Sequence, residues 1–147
     1  MTLFGTDGIR GKYGNFPLDD LTIKKIGYSI VKSFDNTVKK IIIGHDGRES
    51  CTEILESLID GINFFDNYEI INLELFPTPS LPVILSKNDC GDAIGIEITA
   101  SHNPYSDNGI KIFNRDGYKI SSELEAQIEK IVASQHDINK TPDIRFL

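Results

Sequence analysis

Ser101, His102 and Lys111 fall in one stretch, residues 94–113, which reads IGIEITASHNPYSDNGIKIF. A serine hydroxyl is a weak nucleophile, yet it can hold a transferred group and so divide one difficult reaction into two easier ones. Ile94, Ile96 and Ile98 alternate with Gly95 and Glu97, the period of a strand with one buried face, and the run ends in Thr99-Ala100-Ser101-His102-Asn103-Pro104. Ser101 therefore stands at the end of a core strand. Pro104 biases Asn103 towards extended backbone and keeps a helix from starting there, which predicts a tight loop around the serine. Asn108-Gly109 marks a sharp turn, after which Ile110 and Ile112, with Lys111 and Phe113 between them, resume strand alternation. Short connections thus bring Lys111 back towards Ser101. A serine beside a histidine also suits a hydrolase, but the GxSxG elbow is missing and no ordered acid partner is evident.

The rest of the chain supplies the elements that position this stretch. Residues 3–11 are punctuated by Gly5, Gly8 and Gly11, which permit turns closed to bulkier residues. Arg10 stands among them, and by residue type alone it is a solvated surface arginine. Residues 18–34 place Ile23, Ile26, Gly27, Ile30, Val31 and Phe34 on one helical face, with Asp19 or Asp20 as cap. Ile41-Ile42-Ile43 is a short buried strand, followed by the loop Gly44-His45-Asp46-Gly47-Arg48-Glu49, where Asp46 and Arg48 are suited equally to a structural ion pair or a ligand contact. Ser50 and Glu53 read as a capping box before a second helix with Ile54, Leu55, Leu58, Ile59 and Ile62 inside. Residues 68–76 read as strand, Ser80 as the cap of a short helix, and Cys90-Gly91-Asp92 as the turn into the central strand. Residues 111–113 and 118–120 flank Asn114-Arg115-Asp116-Gly117 as a hairpin at an antiparallel edge, and Ser122 with Glu125 forms a capping box for the last helix.

Strand, helix, strand, helix, strand in that order implies parallel strands with right-handed crossovers. The expected class is α/β: a three-layer alpha/beta/alpha domain over residues 1–135, with a mixed, mostly parallel sheet of about four strands and helices on both faces. Residues 136–147 read as a linker. In such sheets ligands bind beyond the carboxyl ends of the strands, so the loops after Ile43, Phe76 and Ile98 share one face.

At 147 residues the chain suits one domain with a real core, and 39% apolar with 25% charged residues is a globular composition. No apolar run approaches a membrane span and the amino end lacks a secretory pattern, so the cytoplasm is the expected location and no membrane partner is expected. A net charge of -7 argues against a nucleic-acid partner but is compatible with a small anion held by local amides and one or two cations. Cys51 and Cys90 form no CxxC pattern and read as reduced thiols in or near the core.

TASHNP followed by DNGIK is similar to the active-serine signature of the alpha-D-phosphohexomutases, the phosphoglucomutase and phosphomannomutase family. The opening Phe4-Gly5-Thr6-Asp7-Gly8-Ile9-Arg10-Gly11 looks most like the phosphoglucosamine mutase branch. This resemblance implies that a phosphorylated Ser101 gives its phosphoryl to one end of a hexose or hexosamine phosphate, and that the bisphosphate turns over and returns the other phosphate. It further implies that Arg10 reaches the reacting phosphoryl group, a role suited to an always-charged planar fork. Lys111 is by resemblance the cation and candidate acid or base towards the sugar hydroxyl. His102 and Asn103 contact phosphate or fix the loop, and Asp46, Arg48 and Thr99 support the face.

A phosphate oxygen on Ser101 would be one ligand of a Mg2+ ion. The family's loop of alternating aspartates, which supplies further ligands, occurs nowhere in this sequence. Domains 2–4 of the family are likewise absent from it, so the isolated chain is expected to be inactive. Glu97 stands where the family has an apolar residue and, if buried, demands a Lys or Arg partner. The resulting expectation is the first domain of a phosphoglucosamine mutase, interconverting glucosamine 6-phosphate and glucosamine 1-phosphate. The alternatives are a phosphomannomutase or phosphoglucomutase domain, or a non-catalytic sugar-phosphate-binding module.

Overall fold

A computed structural model describes residues 2–34, 37–77, 80–87, 92–100 and 103–134. Ser101, His102, Cys90 and the expected linker lie outside the described residues.

Helix α1 (Asp20–Ser33) starts where Asp19, in extended backbone, accepts a hydrogen bond from the Thr22 amide at 2.9 Å. This is the cap the sequence offers. Its buried stripe includes Ile23, Ile26, Ile30 and Val31, and strand β3 (Lys40–His45) follows with Ile41, Ile42 and Ile43 buried. Helix α2 (Cys51–Ile62) turns Ile54, Leu55, Leu58 and Ile62 inward. Each such isoleucine or leucine contributes about 2 kcal/mol by leaving water. Glycine sets how closely α1 and α2 cross: a β-carbon at Gly27 would overlap the Leu58 carbonyl oxygen, and one at Gly61 the Lys24 carbonyl oxygen.

Strand β4 (Glu69–Leu75), the short helix α3 (Ser80–Ser86) and strand β5 (Ala93–Ile98) complete the parallel part. β3 pairs in parallel with both β4 and β5. The chain steps outward from β3 to β4 and then back across β3 to β5, so two crossovers of one hand put α2 and α3 on opposite faces. Ile94, Ile96 and Ile98 of β5 pack into the larger core beneath α1, α2 and α4 (Ser122–Ser134). Ala93 packs with Leu81 and Leu85 of α3 on the other face. The three-layer α/β architecture is as expected.

The sheet has six strands rather than about four, in the order β1-β2-β6-β5-β3-β4. The additional pair is a hairpin at the amino end, β1 (Phe4–Gly5) and β2 (Gly8–Lys12), joined through Thr6-Asp7. Its glycines conceal a strand that has no apolar alternation to announce it. Glu129 of α4 secures the hairpin's start, accepting from the Leu3 and Phe4 amides at 2.8 and 3.0 Å.

β6 (Asp107–Phe113) is therefore interior, antiparallel to both β2 and β5, and not the expected edge. Asn108-Gly109 is not a turn but part of β6, opposite Gly11 and Arg10. The reversal lies earlier, where the Asp107 amide bonds the Pro104 carbonyl at 2.9 Å. Beyond β6 the expected hairpin reduces to a turn with one bridge, Phe113 to Lys119. The cap of α4 is Ser121, whose hydroxyl accepts from the Leu124 amide, rather than Ser122. Glu125 pairs instead with Lys119 at 3.2 Å. No helix among the described residues is long and apolar enough to cross a membrane.

Because the α1–α2 crossing has no room for a methyl group, Gly61→Ala is expected to lower stability by about 1–3 kcal/mol. Urea unfolding reads this as a lower midpoint, and an unchanged midpoint would show that the helices separate without strain.

Candidate functional site

The loops after β3, β4 and β5 meet at one end of the sheet. The Asp46 amide donates to the Ile98 carbonyl at 3.2 Å and the Phe76 amide to the His45 carbonyl at 2.9 Å. Here Arg48 is buried, at 8% exposure, a placement that a guanidinium tolerates only with full compensation. Its Nε donates to Asp46 Oδ2 at 2.8 Å, and one terminal nitrogen donates to the carbonyls of Asn103, Pro104 and Asp107 at 3.0, 2.6 and 3.2 Å. The Thr99 hydroxyl donates to the same Asp46 oxygen at 2.7 Å. Asp46, Arg48 and Thr99 thus tie the exit of β3 and the exit of β5 to the loop entering β6. Burial pushes the Asp46 carboxyl up, but the Thr99 hydroxyl and the Arg48 guanidinium outweigh it and hold the group below its ordinary value. His45, expected in the loop, is instead the last residue of β3, and its Nδ1 accepts from the Gly47 amide at 3.1 Å.

Asn108 is fully buried against the start of α2. Its amide nitrogen donates to Ser50 Oγ at 3.0 Å and reaches Cys51 Sγ at 3.6 Å, while its oxygen accepts from the Gly109 amide. Ser50, expected to cap α2 through its side chain, makes no such bond and faces Asn108 instead. Burial pushes the Cys51 thiol up, as expected of a core cysteine. Gly109 lets three backbone segments converge: a β-carbon there would lie 2.6 Å from the carbonyl oxygens of both Ile9 and Thr99, and 2.7 Å from Arg10 Cδ. Arg10 crosses the space above Gly109, and its Nε donates to the Asp7 carbonyl at 3.4 Å.

The result is an open hollow of about 450 Å³ between the amino-terminal hairpin and the loop after β5. Arg10 and Lys111 both line it, together with Asn103, Ala100 and the Thr6-Asp7 turn. Two cations distant in sequence therefore share a cavity whose rim carries the residues on either side of positions 101 and 102. Residue type alone does not announce Thr6 and Asp7 as lining residues; their signal is a polar pair between Gly5 and Gly8, where Gly8 has φ +90° and closes the hairpin over β6.

Glu97 has 0% exposure, and neither carboxyl oxygen has a hydrogen-bond partner among the described residues. The carboxyl lies over Gly44, where a β-carbon would come within 3.1 Å of Oε2. Lys111 stands beside it as the cross-strand partner on β6. The Lys or Arg partner expected of a buried Glu97 is thus present as the neighbouring charge of Lys111, without a hydrogen bond to either carboxyl oxygen. Burial first, then the field of Asp46, pushes the Glu97 carboxyl up to about 8 against the opposing pull of Lys111, so it is neutral at pH 7.

Among the described residues no group of three or more His, Cys, Asp or Glu side chains converges as a metal site. Asp46 is engaged by Arg48 and Thr99, so these residues do not by themselves fit a Mg2+ cage.

An α/β domain with two cations facing a hollow at its strand ends has the arrangement in which a small anion can be held. The family model for phosphoglucomutase/phosphomannomutase, alpha/beta/alpha domain I, matches residues 1–139, and the chain belongs to this family. It is 41% identical over 133 residues to a phosphoglucosamine mutase of Aliarcobacter butzleri, covering 89% of this chain and 29% of that protein. A phosphoglucosamine mutase of Wolinella succinogenes is 42% identical over 137 residues, covering 92% and 30%. The chain thus spans less than a third of the length of these relatives. Among solved structures, the open form of parafusin, a phosphoglucomutase from Paramecium, superposes with a TM-score of 0.74 at 24% identity over 89% of this chain and 25% of that one. A phosphoglucomutase/phosphomannomutase family protein from Burkholderia thailandensis gives 0.70 at 24% identity over 89% and 30%. At that identity the likeness is one of fold.

Two outcomes are expected. Arg48→Ala strands three carbonyls and the Asp46 carboxylate, lowering stability by about 2–4 kcal/mol, and Arg48→Lys restores little because an ammonium lacks the fork. Protease cleavage within residues 103–107 should accelerate in both variants, and cleavage as slow as in the parent chain would show that the loop holds without the guanidinium. For Glu97 the folded group keeps its proton to higher pH than the unfolded one. Stability is therefore greatest below pH 4.5 from this group's standpoint and declines until about 8. Glu97→Gln removes that decline, on the order of a few kcal/mol, and unfolding free energies with the same pH slope in both chains would show that Glu97 ionises normally.

Proposed function

We propose that this chain is the active-serine domain of a phosphoglucosamine mutase, and that Ser101 carries the phosphoryl group in the exchange between glucosamine 6-phosphate and glucosamine 1-phosphate. What supports this reading most directly is that Arg10 and Lys111, from opposite ends of the described chain, line one hollow with Ala100 and Asn103 at its rim. The naming of the curated relatives points to the amino sugar over mannose or glucose.

In the forward step the bond between phosphorus and the Ser101 oxygen breaks as a bond to a sugar hydroxyl oxygen forms. The hydroxyl proton leaves to a base, for which Lys111 as the neutral amine is the candidate, and the released serine oxygen takes up a proton from solvent in the open hollow. Phosphoryl transfer asks the protein mainly for position and for charge to meet the transferring oxygens. Arg10 provides a fork that can engage two of those oxygens, and Lys111 a point charge once it has taken up that proton. His102 and Asn103 contact the phosphate or hold the loop, and Asp46, Arg48 and Thr99 keep the face in shape. By resemblance the family's reaction uses Mg2+. A phosphate oxygen on Ser101 would be one of its ligands, and among the described residues no cluster of carboxylates converges to supply the rest.

Intact mass tests the proposal. After incubation with a hexose 1,6-bisphosphate and Mg2+, or as purified from cells, a fraction of the chain should carry one added phosphoryl group, lost in Ser101→Ala. Absence of the added mass under both conditions favours a non-catalytic sugar-phosphate-binding domain. Steady interconversion of the two glucosamine phosphates by the 147-residue chain alone is not expected, since it spans 29% of the Aliarcobacter relative.

A further inference from the structure

We infer that Glu97 is a positioning residue that acts through Lys111: while its carboxyl is neutral the ammonium is left to the strand-end hollow, and once ionised it draws that ammonium down onto the sheet. The inference rests on the reading of the hollow as a phosphate site and adds a residue which that reading does not use.

Geometry carries it first. Glu97 and Lys111 are directly opposed on antiparallel β5 and β6, and such partners project from the same face with β-carbons about 5 Å apart. Lys111 lines the hollow, whereas Glu97 is wholly enclosed. One member of the pair thus faces the ligand while the other lies beneath it. Both carboxyl oxygens lack a hydrogen-bond partner among the described residues, which a neutral acid tolerates far better than an anion.

Among the described residues the surroundings offer the anion little else. On β3, Gly44 has no side chain and contributes space; after β4, Phe76 packs over the same glycine. The nearest helix, α3, brings Leu81 and Leu85 to neighbouring Gly95, and its sequence SLPVILS holds no ionisable group. The loop after β3 contributes Asp46, whose negative charge opposes ionisation of Glu97, and the Arg48 charge is engaged by Asp46 itself. Lys119 and Glu125 form an ion pair lining the adjacent pocket that Lys111 also borders. The field of the Lys111 ammonium favours the Glu97 anion, in keeping with the placement. By reciprocity, an ionised Glu97 must hold the Lys111 ammonium more tightly than a neutral one.

Side-chain carbon NMR of the wild-type chain tests the coupling without any ligand. The Glu97 carboxyl and the Lys111 ε-carbon should shift together in one step near pH 8, and Glu97→Gln should abolish that step at Lys111. A Lys111 signal that ignores Glu97, or a Glu97 that titrates in the ordinary acid range, overturns the inference. Sulfate, whose charge is constant over this range, is the probe for the consequence. Its affinity, followed at the amides of Gly8 and Asn103, should weaken severalfold through the step in the wild type and stay level in Glu97→Gln. Equal weakening in both chains counts against Glu97. Coupled titration with no sulfate binding at any pH would preserve the Glu97–Lys111 link and overturn the phosphate reading of the hollow instead.

Discussion

A guanidinium inside a small protein constrains everything around it. Arg48 sits among backbone carbonyls at the strand ends, where an uncompensated positive charge would cost several kcal/mol. The fold compensates it with the Asp46 carboxylate and three carbonyls of the 103–107 segment. Those bonds can all form only if β3 and β5 end level with each other and the following loop folds back over them. Thr99, donating to the same Asp46 oxygen, fixes the last residues of β5 in the same frame. The position of the rim at Ala100 and Asn103 is therefore a consequence of charge burial as much as of hydrophobic packing.

The same end of the sheet holds two carboxyl groups with opposite fates. Asp46 has a hydroxyl, a guanidinium and a backbone amide to stabilise its anion, and it stays ionised. Glu97 has apolar walls and the field of Asp46, and it stays protonated. Environment, not residue type, sets the charge, and separated proton affinities of this kind are characteristic of functional sites. Here the neutral acid leaves a net positive hollow between Arg10 and Lys111 in a chain whose overall charge is -7. Global charge and local potential are independent quantities.

Much of the fold was legible because its signals are local. The isoleucines of β3 and β5, the apolar stripes of α1 and α2 and the Asp19 cap each declare an element through a few consecutive residues. The misreadings share a cause, a local signal overridden by a distant partner. Asn108-Gly109 carries the composition of a turn, but burial of the Asn108 amide against Ser50 and Cys51 and the close approach allowed by Gly109 place the pair inside a strand. Ser50 has the spacing of a capping box, yet its hydroxyl is claimed by that asparagine. The strand at residues 8–12 has no pattern of its own and exists because β6 offers it an edge.

The sequence by itself determined the class of fold, the strand carrying residues 93–98, the loop that follows it and the cations worth watching, because periodicity, breakers and motif spacing are written in neighbouring residues. Only the tertiary structure decided that Arg10 reaches the same hollow as Lys111, that β6 is interior, and that Glu97 is sealed in and neutral. Strand pairing and desolvation depend on which surfaces come together from far along the chain, and no local run of residues encodes the dielectric that its side chains will meet.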